Sequence, residues 1–283
     1  MNSTMIFILL GLAAQTGTLP LQKNSALNEE ATRFKRAFSD EQMALEDGTA
    51  MDKILELNEY ELNSNPAGLT FTEGDIAVSN KRSAITCSGN SCLWPKSVDG
   101  FVYVPYIISP EYNNRDRITI EIGMQDISTG TCIKFVPRTH QADYLDIQPR
   151  FGCWSYLGVN GGPQALSLQS PGCMWSGIAS HELMHALGFV HEQSRSDRDN
   201  YVTILWDNIL KDREYNFEKY KTNNLNTGYD YGSIMHYGRF AFSEDGAPTI
   251  IPKPDPHVLI GQRDGPSATD LLKINKLYNC GDY

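Results

Sequence analysis

The sequence predicts an α+β domain in which strands come first and helices follow. Segments rich in β-branched and aromatic residues occupy positions 100–108, 132–136, 144–148 and, as an edge strand, 165–168. Apolar residues at helical spacing follow at 176–188, 207–220 and 267–278. The region 83–283 is long enough to bury one hydrophobic core, so we expect a single domain there.

Two stretches of this region are harder to assign. Residues 115–129 alternate like a strand at RITIEIG, yet Ile118, Ile122 and Ile127 also fit one face of a helix, so both structures remain open. Residues 222–266 are rich in Pro, Gly and Asn and predict an ordered loop.

The chain begins with an apolar run at residues 5–14, followed by small and polar residues. The run is too short to span a bilayer and is typical of a secretory signal peptide. A buried N-terminal helix is the alternative. We therefore predict a signal peptide at 1–17 and a secreted, extracellular product.

Residues 18–82 differ in composition from the rest, being charged and free of cysteine. They end in the dibasic pair Lys81–Arg82, which is a plausible processing point in a secreted precursor. Residues 50–62 favour an amphipathic helix with an apolar face of Ile54, Leu55, Leu57 and Leu62. We predict an activation pro-segment at 18–82; the alternative is a solvated N-terminal arm.

Six cysteines follow residue 82, and in a secreted chain an even number predicts disulfides. Fifteen pairings are possible, so the connectivity stays open at this point. A thiolate zinc site would need C-x-x-C pairs, which the sequence lacks. The net charge of −10 and the absence of a basic block exclude nucleic acid and an anionic membrane surface as partners.

The segment HELMHALGFVH holds three of the six histidines. His181 and His185 are four residues apart, so on a helix their rings project from one face, with Glu182 between them. A continuing helix would carry His191 too far along the axis, but Gly188 can end the helix and turn the chain back. The spacing is the H-E-x-x-H-x-x-G-x-x-H pattern of metzincins.

This pattern predicts a catalytic zinc site with one zinc ion per chain. Three histidine nitrogens leave a coordination position open, whereas a structural site is closed by four protein ligands. Zinc would activate water and polarise the scissile carbonyl, and Glu182 would take the proton of the water and deliver it to the leaving amine. The alternative for H-E-x-x-H alone is a solvated helix face.

The segment SIMHY, residues 233–237, supplies the methionine turn that the metzincin pattern requires downstream. Met235 would form an apolar floor beneath the histidines, although a simple core residue is the alternative. His236 lies outside the metal spacing, and we interpret it as structural. The phenol of Tyr237 could reach the metal or stabilise an oxyanion.

At these residues the chain resembles the astacin family of metalloendopeptidases. HELMHALGFVHEQSRSDRDNYV and SIMHYG are similar to the zinc signature and the methionine turn of that family, and the resemblance covers residues 83–280. It implies a two-lobed fold, with a twisted N-terminal sheet with helices, a mostly irregular C-terminal lobe and the zinc in the cleft between them. It also implies a helix at 115–129.

The resemblance implies a role for each site residue. The zinc ligands would be His181, His185 and His191, the general base Glu182, and the switchable fifth ligand Tyr237. Glu192 would receive the new amine of Ser83 after the pro-segment is removed. Its alternative is an ordinary surface carboxylate.

Pro-segments of such enzymes carry a Gly-Asp pair whose carboxylate occupies the open position of the zinc. Here FTEGDI offers Gly74 and Asp75. The family often has an aromatic residue two positions before the glycine, where this chain has Thr72, with Phe71 one position earlier.

The cysteines are similar to those of the six-cysteine, hatching-enzyme (choriolysin-like) branch. That likeness implies the pairs Cys132–Cys280, Cys153–Cys173 and Cys87–Cys92. It also implies a monomer, released through secretory granules, that cleaves egg-envelope glycoproteins. Only GDY follows the last cysteine, so we expect no accessory domain.

Two other functions remain open. A protease of the same branch in secretory or immune tissue would use identical chemistry, and a non-catalytic zinc-binding extracellular protein would keep only the fold. No Asn-x-Ser/Thr sequon follows the signal peptide, so we expect no N-glycosylation.

Overall fold

The computed structural model describes residues 54–55, 57–58, 69–78 and 92–281. The predicted signal peptide at 1–17, the boundary at Lys81–Arg82 and Cys87 lie outside these residues, as does most of the predicted pro-segment. None of the helices in the described ranges is long and apolar enough to cross a membrane.

Seven strands form one mixed sheet. They are β1 (Thr70–Thr72), β2 (Ile76–Val78), β3 (Val102–Ile108), β4 (Ile133–Pro137), β5 (Tyr144–Gln148), β6 (Cys153–Tyr156) and β7 (Pro163–Leu168). Their order across the sheet is β1-β2-β6-β7-β5-β3-β4. The pairs β3–β4, β3–β5 and β5–β7 are parallel, whereas β6 is antiparallel to β7.

Helix α1 (Asn114–Ser128) connects the parallel neighbours β3 and β4, because such strands need a crossover rather than a hairpin. Its first turn is closed by a capping box, in which the Asn113 side chain accepts from Asp116 N and the Asp116 side chain accepts from Asn113 N. The helix that the resemblance implies at 115–129 is therefore present.

Helix α2 (Ser176–Ala186) packs against α1, and both contribute to the hydrophobic core that the sheet builds. Alternate strand residues point into this core and are fully buried, among them Val102, Val104, Leu145, Ile147, Leu166 and Leu168. The α+β fold that the sequence predicts is confirmed.

The edge position predicted for residues 165–168 is wrong. Strand β7 lies between β6 and β5, and both Leu166 and Leu168 are fully buried. Its partner β6, with the sequence CWSY, was not predicted. A short apolar run shows that a strand is buried, but the identity of its neighbours depends on pairing with distant parts of the chain.

The α-helix predicted at 207–220 is also wrong. This stretch forms 3-10 turns at Trp206–Asn208 and Lys211–Phe217. Ile209 and Phe217 are buried at helix-compatible spacing, but Leu210 N donates to Phe242 O. Tertiary hydrogen bonds therefore override the local pattern.

The C-terminal part otherwise consists of short elements. Strands β8 (Val202–Ile204) and β9 (Ile250–Pro252), which were not predicted, pair as a two-stranded antiparallel sheet. Helix α3 (Ala268–Leu277) agrees with the prediction for 267–278, and Ser267 caps it.

The described residues of the predicted pro-segment join the sheet at its edge. Ile76 pairs with Ser155 of β6 in parallel register. Asn58, in a helical stretch, donates from Nδ2 to Gly74 O at 3.0 Å and to Cys153 O at 2.7 Å. The buried side-chain amide of Asn58 thus connects the predicted pro-segment to β6.

The structure contains the disulfides Cys132–Cys280 and Cys153–Cys173, the two pairs that the resemblance implies in this part of the chain. Cys92 is also disulfide-bonded, and its implied partner Cys87 lies outside the described residues. The first pair joins the start of β4 to the segment after α3.

We expect the two fully described disulfides to stabilise the fold unequally. Cys132 and Cys280 are 148 residues apart, whereas Cys153 and Cys173 are 20 apart. The chain-entropy relation assigns about 5 kcal/mol to the long loop and about 3 kcal/mol to the short loop. Urea unfolding of the two double Cys→Ser variants, in an inactive Glu182→Gln background, measures both losses. A larger loss for the short loop would contradict this account.

Candidate metal centre

Helix α2 sets two histidines side by side. His181 and His185 lie one turn apart on one face, and their ring centroids are 4.7 Å apart. Both side chains are fully buried because α2 packs into the core beside α1. The H-E-x-x-H spacing therefore produces a buried pair of imidazoles.

A Schellman motif at the end of α2 brings in the third histidine. Gly188 N donates to His185 O at 2.8 Å and Phe189 N donates to Met184 O at 3.1 Å, which are the two hydrogen bonds of that motif. The φ of Gly188 is +99°, a conformation that glycine adopts without strain. The ring of His191 consequently lies 4.8 Å from that of His185.

Backbone carbonyls determine which nitrogen carries the proton in the first two rings. His181 Nδ1 lies 2.8 Å from Ile234 O, and His185 Nδ1 lies 2.7 Å from Phe189 O. A carbonyl only accepts, so Nδ1 donates and each neutral ring presents a lone pair at Nε2. The two Nε2 atoms are 3.1 Å apart. Two lone pairs at this distance repel each other unless a cation lies between them.

Asp75 brings a carboxylate to the same point. Its Oδ2 lies 3.0 Å from His181 Nε2 and 3.3 Å from His191 Nε2, and its Oδ1 lies 3.3 Å from His185 Nε2. One ligand atom from each of the four residues lies within 4.8 Å of the others. Within the described chain, His191 Nε2 and Asp75 Oδ1 have no hydrogen-bond partner. Four acceptor atoms therefore face one small buried space.

This donor set fits zinc. Three imidazole nitrogens and one carboxylate oxygen are ligands that Zn²⁺ takes in tetrahedral sites. The structure thus brings together all three predicted histidine ligands with Asp75. With Asp75 as the fourth ligand, the site would be closed to water.

The electrostatics of the cluster also require positive charge at its centre. Burial opposes ionisation of Asp75, but the neighbouring His191 and His185 lower the pKa of its carboxyl well below the usual value. Burial likewise disfavours protonation of His191, yet the carboxylates of Asp75 and Glu73 outweigh it and raise its pKa to about 9. A metal cation would supply this charge in place of a proton.

Gly74 lets the chain before Asp75 approach closely. Its φ is +80°, and a Cβ at this position would lie 2.4 Å from Leu55 Cδ2 and 2.8 Å from Phe242 Cζ. Asp75 O accepts from Ser155 N at 3.1 Å, which continues the pairing of β2 with β6. Backbone pairing and the small glycine together position the carboxylate.

Glu182 follows the first ligand in α2 and is fully buried. Neither of its carboxylate oxygens has a hydrogen-bond partner among the residues that the structure describes. Burial, reinforced by the Asp75 carboxylate, raises the pKa of Glu182 well above its usual value against the opposing effect of Arg263. A carboxylate with a raised pKa is suited to accept a proton at neutral pH.

The methionine turn is anchored by a side chain of α3. Asp270 accepts from Ser233 Oγ at 2.6 Å and from Ile234 N at 2.9 Å. Met235 is buried in the main core. Because Ile234 O is the acceptor for His181 Nδ1, Asp270 also holds a predicted metal ligand in orientation.

Tyr237 is fully buried next to the metal cluster. Its ring centroid lies 4.6 Å from that of His191, and its hydroxyl donates to Glu73 O at 2.5 Å. Its backbone N donates to Gln193 Oε1 at 2.9 Å. Burial raises the pKa of Tyr237 well above its usual value, so the hydroxyl remains a hydrogen-bond donor.

His236 is not part of the metal cluster. Its Nε2 lies 2.8 Å from the Tyr229 hydroxyl, and its backbone O accepts from Arg263 at 3.1 Å. Burial lowers the pKa of His236 to about 3. It is therefore a neutral side chain that joins the methionine turn to an aromatic group.

Glu192 lies directly after the third histidine and is buried rather than on the surface. Its Oε1 accepts from Arg195 at 3.0 Å and from Asp230 N at 2.9 Å, and its Oε2 accepts from Lys273 Nζ at 2.5 Å. The predicted partner, the amine of Ser83, lies outside the described residues. In this structure two cations already neutralise the carboxylate.

The sequence analysis did not predict several residues that hold the side chains of the metal cluster in position. Asp270 had a signal, because Ser267 and Asp270 form the S-x-x-D pattern of a capping box. Glu73 stands two residues before Asp75 but belongs to no metal-ligand spacing. Gln193 and Asn58 carry no pattern that local sequence could reveal.

Comparison with known proteins agrees with this geometry. The sequence profile of the peptidase family Astacin matches residues 90–279. High choriolytic enzyme 1 of Oryzias latipes is 51% identical over 219 residues, which are 77% of this chain and 81% of that protein. Low choriolytic enzyme of the same fish is 42% identical over 281 residues, 98% and 97% of the two chains. The solved structure of high choriolytic enzyme 1, a hatching enzyme zinc-protease, is 53% identical, has a TM-score of 0.68 and covers 70% of this chain and 100% of its own.

We expect Asp270→Ala to weaken zinc binding as well as folding. It leaves Ile234 N without its acceptor, at a cost of about 1–3 kcal/mol, and it loosens the carbonyl that orients His181. Loss of such support lowers metal affinity by roughly 10–100-fold. Chelator competition and urea unfolding measure the two effects.

The control for Asp270→Ala is Ser267→Ala, which removes the N-cap of the same helix and costs about 1 kcal/mol. It leaves the contacts of Asp270 to the methionine turn intact. Equal losses of zinc affinity in both variants would show that helix stability, and not orientation of the turn, controls the metal.

Proposed function

Because this chain belongs to the astacin family of zinc metalloendopeptidases, we propose that it is a hatching enzyme made as a latent precursor. Its substrates would be egg-envelope proteins, and the product would be a secreted monomer that holds one zinc ion, released from secretory granules. The observation that carries the proposal is the buried group of His181, His185, His191 and Asp75. The likeness to two choriolytic enzymes supports the choice of substrate.

The three histidines would hold the zinc ion, which supplies Lewis acidity for the carbonyl of the scissile bond and for the attacking water. Glu182 accepts the proton of that water and returns it to the leaving amine. Its burial supports this role, as do its two carboxylate oxygens, which have no hydrogen-bond partner among the described residues. The reaction therefore needs a proton acceptor beside the first ligand, which α2 provides.

Tyr237 would stabilise the oxyanion that forms on the substrate. Its hydroxyl is engaged by Glu73 O in this structure, so the pro-segment must leave before the phenol is free to act. The raised pKa of Tyr237 keeps its proton in place for hydrogen bonding.

Latency would come from Asp75, which fills the position that water needs. Residues of the predicted pro-segment also pair with β6, so the pro-segment covers the edge of the sheet as well. Removal at Lys81–Arg82 would free both the metal and the backbone groups of β6, to which an extended peptide can pair. Alignment with low choriolytic enzyme over 281 residues includes this N-terminal region and supports its assignment.

Glu192 would bind the amine of Ser83 after cleavage. The amine would join or displace Lys273 at Oε2, since Arg195 and Asp230 N occupy Oε1. Secretion is supported by the apolar run near the start of the sequence, which predicts a leader at 1–17, and by the disulfides.

We expect Glu182→Gln to remove peptidase activity while zinc stays bound. Glutamine keeps the shape of glutamate but cannot accept the proton, and a general base contributes at least about 100-fold to rate. Hydrolysis of a quenched fluorescent peptide by the mature enzyme, together with zinc analysis, measures both properties. Near-normal turnover in a zinc-loaded variant would remove Glu182 from the mechanism.

The same pair of proteins tests the substrate. Isolated egg envelopes should release soluble fragments with the mature enzyme and none with Glu182→Gln. If the mature enzyme cleaves the peptide rapidly but leaves the envelopes intact, the peptidase activity would be supported and the hatching role rejected.

We expect the Asp75→Ala precursor to hydrolyse peptide before any cleavage at Arg82. Both proteins would carry Lys81→Ala and Arg82→Ala to prevent processing. Loss of the carboxylate reopens the metal to water, so activity should rise at least about tenfold above the unmodified precursor, which corresponds to about 1.4 kcal/mol.

The matched control for Asp75→Ala is Asp75→Asn, which keeps the shape and one neutral oxygen and should give an intermediate activity. If both uncleaved variants prove as inert as the unmodified precursor, steric cover rather than metal ligation explains latency.

A further inference from the structure

A second acidic residue of the predicted pro-segment lies behind the metal cluster. Glu73 Oε2 is 2.9 Å from His191 Nδ1 and 3.3 Å from His191 N. Glu73 is 1% exposed and His191 is fully buried, so no bulk water screens this contact. The carboxylate touches the side of the ring that faces away from Asp75.

This contact distinguishes the third histidine from the other two. The Nδ1 atoms of His181 and His185 are bound by the backbone carbonyls of Ile234 and Phe189, which belong to the peptidase domain. His191 Nδ1 is bound by the pro-segment, and in the described part of the chain it has no other hydrogen-bond partner.

The backbone around Glu73 is held in a conformation that keeps the carboxylate in this place. Its φ is +52°, which is uncommon for a residue other than glycine and persists where surrounding contacts enforce it. Its carbonyl accepts from the Tyr237 hydroxyl, and the next carbonyl, of Gly74, accepts from Asn58. Two hydrogen bonds, one to the carbonyl of Glu73 and one to that of Gly74, thus hold the backbone of Glu73 between the metal ligand and the methionine turn.

A carboxylate on the distal nitrogen of a metal-binding histidine has a defined effect. It fixes the tautomer and the ring orientation and makes the metal-binding nitrogen more basic. Charge balance would also favour zinc binding in the presence of Glu73. Zn²⁺ and the Asp75 carboxylate together would leave one net positive charge in a buried site. The carboxylate of Glu73 offsets it, and burying uncompensated charge is costly.

We propose that Glu73 is a positioning residue for the metal ligand His191, so that the pro-segment helps the precursor to acquire and retain zinc. This inference rests on the proposed latent precursor. The pro-segment then has two separate contacts with the site: Asp75 blocks the metal, and Glu73 orients a ligand from behind. Removal of the pro-segment takes both away, so the mature enzyme holds zinc less tightly than its precursor.

Zinc affinity of the full chain tests the proposal. All proteins would carry Lys81→Ala and Arg82→Ala, so that none is processed. Competition with a chelating dye for Zn²⁺ should give a dissociation constant about 10–100-fold higher for Glu73→Ala than for the unmodified precursor. Glu73→Gln keeps an oxygen that can accept from Nδ1 but loses the charge, so its loss should be smaller.

The matched control is Thr72→Val, one residue earlier. It removes the contact of Thr72 Oγ1 with the Tyr220 hydroxyl, 3.2 Å long, and touches none of the histidines. Its zinc affinity should stay within about twofold of the unmodified protein, since its effect is confined to a partly exposed hydrogen bond.

Urea unfolding of the metal-free proteins distinguishes an effect of Glu73 on the orientation of His191 from an effect on the stability of the whole fold. Glu73→Gln removes a buried charge beside His191, so its metal-free form should unfold at a lower urea concentration than the unmodified apo-protein. Both proteins should be fully folded without urea, where zinc binding is measured, so weaker binding by Glu73→Gln is a property of the folded chain. Zinc affinity that is unchanged in both Glu73 variants, or that falls equally in Thr72→Val, would overturn the proposal. Latency is measured separately by peptide hydrolysis of the Asp75→Ala precursor, so either idea can fail while the other stands.

Discussion

Three imidazole lone pairs that converge in a buried space are the constraint on which the rest of this structure depends. His181, His185 and His191 are fully buried, and the Nε2 atoms of the first two are 3.1 Å apart. Such an arrangement is repulsive until a cation occupies its centre. The protein must therefore hold the rings in place by other contacts, and Asp75 adds the fourth acceptor that completes the group.

The fold meets this constraint by occupying the opposite nitrogen of each ring. The cap of α2 supplies Phe189 O, and the methionine turn, held by Asp270, supplies Ile234 O. The pro-segment supplies Glu73. In the proposed precursor, the peptidase domain and the pro-segment therefore both orient the histidine rings. Removal of the pro-segment would then change both the access of water to the metal and the support of one ligand.

The local sequence pattern was sufficient to predict a structural feature where that feature depends only on residues close together in the chain. The spacing of HELMHALGFVH identified the three histidines and the turn at Gly188, because a helix and its cap involve only residues a few positions apart. The same reasoning failed at 207–220, where hydrogen bonds to the region of Phe242 replace an α-helix. It also failed to identify β6, whose neighbours β2 and β7 flank it on different sides.

The Gly-Asp pair was implied by the resemblance to the astacin family, whereas the sequence by itself predicted the chemistry of the site: three histidine ligands and Glu182 as proton acceptor. These two predictions follow from the types of the side chains and from their short spacing, both of which can be read from the sequence without a structure. Only the tertiary structure decided that Asp75 reaches the histidines, that Lys273 binds Glu192, and that Glu73 lies behind His191. Those contacts join residues as many as 118 positions apart, and their geometry depends on how the sheet and the helices pack, which no local pattern encodes.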